Sequence, residues 1–180
     1  MMKNAEFIKG QKHFLRGEYG ISIMDFSSAL KHGVEPGLVH MPLGIAHLKN
    51  GDFLEAVEDF SHALELEPKN DHAFFLRGIA RFNNGEPATA VDDFNDAIRL
   101  NDGRGAAYVA RSLALKAMHR FTEAENDLKM ALALADVEVE TFIKEYCISP
   151  AMHAMAMSLF DVGREAWTGE MRERHMRVEH

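Results

Sequence analysis

Three kinds of side chain in this sequence could carry chemistry, and their spacing decides whether they do. The ten histidines are the obvious metal ligands. His40 and His47 stand seven residues apart, while His13 and His47 occupy matching places in successive repeats. No HExxH, CxxC or EF-hand pattern is present, and a zinc site wants three or four placed ligands. They are therefore expected to be surface or core histidines, with no metal. Four aspartates, Asp25, Asp59, Asp93 and Asp127, recur at one constant interval. Carboxylates that work as an acid–base pair must share hydrogen-bonding reach, and residues a full repeat apart do not. A structural role is expected instead: pairing with a basic residue of the next repeat, for which Arg77 and Arg111 are candidates, or simple solvation. Cys147 is the one cysteine. It has no placed His or Asp partner and reads as a small buried hydrophobe. The glycines do not sit between a strand and a helix, so no phosphate loop is expected. The sequence thus predicts no catalytic residue and no cofactor.

The elements that position these residues are given by the repeat itself. From Lys3 the chain divides without a gap into four blocks of equal length, 3–36, 37–70, 71–104 and 105–138. Numbering positions from the start of each block, position 8 is Gly10, Gly44, Gly78 and Ser112, and position 15 is Gly17, Gly51, Gly85 and His119. Position 20 is Ser22, Ala56, Ala90 and Ala124. Position 24 is Phe26, Phe60, Phe94 and Leu128, followed at 27 by Ala29, Ala63, Ala97 and Ala131. Small residues at 8, 20 and 27 let two helices approach closely. Glycine at 15 supplies the left-handed backbone that ends the first helix. Each block therefore predicts helix A at positions 2–14, a tight turn, and helix B at 18–31. Neither helix can bury its apolar stripe alone, so the blocks must stack into one core.

The pattern resembles the tetratricopeptide repeat family, which shares this block length and is matched over 3–138. Blocks two and three carry it best, as in LGIAHLKNGDFLEAVEDFSHALELEP. Ser22 and Val34 depart from the family's alanine and proline, Pro87 opens a helix B, and block four lacks both glycines. The resemblance implies an all-α fold: a right-handed α-solenoid of four helix-turn-helix repeats, with residues 139–180 as C-terminal capping helices and tail.

It also implies that the A helices line a concave face and that ligands touch positions 2, 5, 6, 9, 12 and 13. Position 5 is Phe7, Met41, Phe75 and Val109; position 9 is Gln11, Ile45, Ile79 and Leu113; position 12 is Phe14, Leu48, Phe82 and Lys116. These twelve residues are the candidate partner-binding groove. The family's asparagines at 6 and 9, which hydrogen-bond an extended peptide, are absent. The two-carboxylate clamp of the chaperone-tail-binding subtype is absent too. It needs cations and asparagines where this chain has Phe7, Gln11, Pro42, His72 and Leu76, so a carboxylate has no charge-assisted partner apart from His72 if that is protonated.

Residues 139–147 fit a short fifth helix A, with Phe142 at position 4. Ser149-Pro150 reads as an N-cap followed by the first residue of a helix reaching about Trp167, with Met152, Met155, Leu159 and Phe160 on one side. A large apolar face seldom stays bare in water. Three occupancies follow: an apolar or helical segment of another protein, this chain's own Met-rich helix in cis or exchanged within a homo-oligomer, or ordinary core packing. The net charge of −8 argues against nucleic acid as the main partner. No apolar run predicts a membrane span. With no signal-like N-terminus, the expected setting is cytoplasmic. The function so read is non-catalytic protein binding, as an adaptor, scaffold or chaperone-like module; the alternative is a self-associating assembly protein.

Overall fold

The structure, a computed structural model, describes residues 4–134, 139–150, 152, 154 and 156. The described part is all-α. Eight helices form four pairs: α1 (Ala5–Leu15) with α2 (Tyr19–Lys31), α3 (Pro36–Asn50) with α4 (Phe53–Leu66), α5 (Asp71–Asn83) with α6 (Pro87–Leu100), and α7 (Gly105–Ala117) with α8 (Phe121–Ala133). A ninth, α9 (Val139–Tyr146), follows. Each helix of the four pairs packs on the next in chain order, and successive A helices (α1, α3, α5, α7) also touch one another. The result is a right-handed α-solenoid.

The turn inside each pair is one device used four times. The turn after helix A contains a residue with positive φ: Gly17 at 74°, Gly51 at 90°, Gly85 at 86° and His119 at 60°. The next residue's N–H then bonds back five residues, as in Glu18 to His13 at 3.0 Å and Arg120 to Leu115 at 2.9 Å. This is the Schellman closure that satisfies orphan helix carbonyls. His119 makes the same turn without glycine's freedom, in a region where side chains are strained.

Within a pair, helix A approaches helix B through position 8. A Cβ on Gly10 would lie 2.7 Å from Phe26, on Gly44 2.8 Å from Phe60, and on Gly78 2.6 Å from Phe94. The phenylalanines are fully buried. In the fourth pair Ser112 stands where the glycine does and Leu128 where the ring does, so the larger residue at 8 coincides with the smaller one at 24. Ser22 fits an alanine position because its hydroxyl donates to the Gly10 carbonyl at 2.9 Å.

Between pairs, positions 3 and 10 of helix A face the preceding repeat. Val39, Ala46, Ala73, Ala80, Ala107 and Ala114 are completely buried there. The same positions of the first repeat, Ala5 and Lys12, are exposed at the open end of the stack. The core falls into two clusters. One around Phe26, Val39 and Leu43 joins the first two repeats, and a larger one runs from Leu48 to Ala156.

The aspartate column is held inside its own repeat, which corrects the expectation of pairing with the next one. Arg77 grips Asp93 with Nη2–Oδ1 at 2.7 Å, and Arg81 adds a second guanidinium at 2.9 Å. Arg111 grips Asp127 at 2.6 Å. The cross-repeat link comes from the guanidinium's other arm and runs backwards: Arg77 Nη1 donates to Ser61 at 3.1 Å, and Arg111 Nη1 to Asn95 at 2.7 Å. Helix A is amphipathic, so its position 7 lies over its own helix B and only the far nitrogen overhangs the preceding one.

Candidate polypeptide-binding face

Helices α3 and α5 hold a length of polypeptide, the chain's own segment around Tyr146–Ser149. Tyr146, the last residue of α9, sets its ring edge-on against Phe75 of α5, with centroids 5.0 Å apart and planes at 84°. Phe142 lies 5.3 Å from the Tyr146 ring. Lys49, near the end of α3, donates from Nζ to the Glu145 carbonyl at 2.6 Å and stands 5.9 Å from the Tyr146 centroid. The end of α9 thus meets α3 and α5 together, and α9 does not simply continue the stack as a fifth helix A.

One side chain holds this segment by its backbone. Asn83 Nδ2 donates to the Tyr146 carbonyl at 3.1 Å, and the Ser149 N–H donates to Asn83 Oδ1 at 2.7 Å. Asn83 is itself braced by a bond from Nδ2 to the Ile79 carbonyl at 2.9 Å. A carboxamide is suited to this because it offers donor and acceptor in one plane. Ser149 Oγ then accepts from the Met152 N–H at 3.3 Å, the expected N-cap, and Pro150 is helical. Phe142, Cys147, Met152 and Ala156 are buried in the same cluster as Phe75 and Ile79. Burial pushes the Cys147 thiol up to about 12. Met155, Leu159, Phe160 and the tail lie outside the described residues.

The twelve groove candidates divide by repeat. Leu48, Phe75, Ile79, Val109 and Leu113 are fully buried, and Phe82 nearly so. They are core, because neighbouring repeats and the C-terminal segment close over them. Met41 and Ile45 are half-buried against that cluster. In the first repeat Phe7 leans on Phe26 at 5.5 Å and Phe14 on Tyr19 at 5.4 Å, while Gln11 is exposed. Lys116 is half-buried. Among the described residues of the A helices, the exposed large apolar side chains lie in the N-terminal half: Ile8, Leu15 and Leu38 are 48%, 85% and 56% exposed.

The two residues that touch the bound backbone, Lys49 and Asn83, were not among the candidates. Both sit at position 13, within the family's contact set. Reading positions 5, 6, 9 and 12 and looking for asparagine only at 6 and 9 passes them by. The signal that could have found them is a polar residue in two consecutive repeats at an inner position whose neighbours are apolar.

The electrostatics match a face without a carboxylate clamp. Burial, with Arg104 beside it, pushes His72 below its ordinary value, so it is neutral at pH 7. Arg104 is itself committed to Asp71 at 2.6 Å and lies over the Phe75 ring at 5.5 Å. Burial also lowers Lys49, against the pull of Glu145.

Three of the histidines serve the aspartate column. His13 pairs with Asp25 at 2.5 Å, and Asp59 lies between His40 at 2.8 Å and His47 at 3.7 Å. Burial raises the Asp59 carboxyl while these histidines draw it down. No group of three or more metal-ligating side chains converges among the described residues. A polar cleft of about 380 Å³ lies beside α6, α7 and α8, but Arg111 is already paired there with Asp127 and Arg120 with Glu123. No helix among the described residues is long and apolar enough to cross a membrane.

Comparison with known proteins agrees with this architecture. A family model described as tetratricopeptide repeat matches residues 41–105. No curated protein matches the chain. Among solved structures, YrrB, described as a TPR protein with an unusual peptide-binding site, superposes with a TM-score of 0.72 at 19% identity, covering 89% of this chain and 75% of that one. MamA from residue 41 to its end, from Desulfovibrio magneticus RS-1, gives 0.71 at 14% identity over 74% of this chain and 75% of its own. Another MamA structure gives 0.69 at 20% identity, over 91% and 96%. At these identities the likeness is one of fold.

Proposed function

We propose that this chain, a tetratricopeptide-repeat protein, is a non-catalytic module that binds an apolar or helical segment of another protein along the inner face of its A helices. The observation that carries the reading is the Asn83 carboxamide, which engages both a carbonyl and an N–H of one backbone beside the apolar Phe75 and Ile79. Backbone hydrogen bonds supply affinity without regard to sequence, and apolar contacts around them supply selectivity. Adaptor, scaffold and chaperone-like roles all use such a face, and the cytoplasm is the proposed setting.

The alternative is self-association, with the C-terminal segment of one copy lying in the groove of another. It draws on the same contacts, because nothing in their chemistry depends on which copy supplies the segment.

The test uses substitutions in the N-terminal half of the A helices. Leu15→Glu and Leu38→Glu place charge where these side chains are already exposed, so the fold tolerates them; Phe75→Glu would bury a carboxylate in the core. As a binding module, the wild-type protein elutes near its 20.2 kDa mass, and both variants lose a partner that Met24→Glu, on helix B, retains. As a self-assembler, it elutes larger and the two variants return it to monomer. If neither property changes, the groove assignment is wrong.

A further inference from the structure

We infer that Glu145–Ser149 is an internal stand-in for the groove's ligand, and that the external partner carries an aromatic residue followed three positions on by a free backbone N–H, and enters by displacing this segment. The inference rests on the groove reading above and names the partner's chemistry.

Each part of that description has a counterpart on the face. The aromatic ring answers Phe75, which packs edge-to-face with Tyr146; such pairs favour an aromatic over an aliphatic guest. The backbone carbonyl and N–H, from residues three apart, answer the two ends of the Asn83 carboxamide. Proline in place of Ser149 would remove the second. The backbone carbonyl just before the aromatic residue answers Lys49, whose Nζ donates to the Glu145 carbonyl at 2.6 Å.

The displacement follows from occupancy. Phe75 and Ile79 are fully buried with the segment in place, so no second aromatic reaches them while it stays. A ligand for a state populated only in part binds more weakly by that fraction. Loosening the segment without altering the face should therefore strengthen binding of a ligand offered in trans. The single cysteine reports the event, because Cys147 lies inside the segment and is buried while it is docked.

The experiment uses the full chain and, as probe, a fluorescent peptide of residues 139–156 with Cys147→Ser. The wild-type chain, the Tyr146→Ala chain and the Ser149→Pro chain are compared, the last two loosening the segment in different ways; thermal unfolding by circular dichroism verifies that each folds. We expect both variants to bind the probe about tenfold more tightly than wild type. Adding Asn83→Ala to either should remove that gain, and a probe with Tyr146→Ala should not bind. Alkylation of Cys147 should be slow in wild type, independent of protein concentration, and accelerated by the probe. Equal probe binding by wild type and both variants overturns displacement while leaving the groove as a polypeptide site. No binding by any of them overturns the groove reading itself. Protection of Cys147 that is lost on dilution assigns the segment to a second copy and overturns the cis arrangement.

Discussion

At the scale of single residues, this protein is governed by close approach and by buried charge. Gly78 faces Phe94 with no room for a methyl group, since a Cβ would sit 2.6 Å from the ring. Gly78→Ala should therefore cost about 1–3 kcal/mol by overpacking. Phe94→Leu in the same chain should recover part of that, as Ser112 with Leu128 does naturally. The comparison is the denaturation midpoint of the single and double variants. His119 has the opposite problem, a side chain at φ 60°. His119→Gly should gain about 1 kcal/mol, less what its edge contact with Phe121 contributes. The charge pairs differ in redundancy. Asp93 keeps Arg77 when Arg81 is removed, so Arg81→Ala should cost about 1 kcal/mol. Asp127 relies on Arg111, and Arg111→Ala should cost about 3 kcal/mol by leaving a buried carboxylate unpaired. Equal losses would mean that the second guanidinium on Asp93 contributes as much as the first.

At the scale of elements, the legible and the illegible parts separate by period. Helices A and B, their tight turns and the small-residue contact at position 8 recur in every block, so four copies reinforce one another and the sequence declares them. The partner of the aspartate column was legible as Arg77 and Arg111, but not the repeat it belongs to, because that depends on where position 7 lies on the helix surface. The C-terminal segment occurs once. Phe142 at position 4 resembles the start of another helix A, and no repeat exposes the fact that Tyr146 meets Phe75 two blocks upstream. Asn83 was hidden for the same reason: its carboxamide has a purpose only once the segment is docked. The segment's attachment should depend on pH. The Cys147 thiol has an ordinary value of 9.0 and is raised to about 12 by burial. A raised value means that docking favours the protonated thiol. Its contribution is complete below pH 9.0, and is lost as pH rises through about 12. Methyl NMR shifts of Ile79, which is buried in the same cluster as Cys147, should report release in that window, and Cys147→Ala should remove the cysteine's share of the dependence.

At the scale of the whole molecule, a solenoid's stability is a sum of repeats and their interfaces. The first repeat has one interface, and the core cluster around Phe26 that ties it to the second is the smaller of the two. It should open first. Amide exchange in α1 and α2 should be faster than in α5 and α7, which are buried on both sides. Phe26→Ala should unfold the first repeat while the rest retains its transition, giving two steps where wild type gives one. This loose end is also where the A helices expose large apolar side chains. Binding there should therefore cover α1 and α3.

The measurement closest to the central claim is amide hydrogen exchange of the full chain with and without a captured partner. If the inner face of the A helices is the binding surface, protection rises over 5–15 and 36–50 and stays unchanged over 53–66 and 87–100. Protection that rises on the B helices and leaves the A helices unchanged would contradict it.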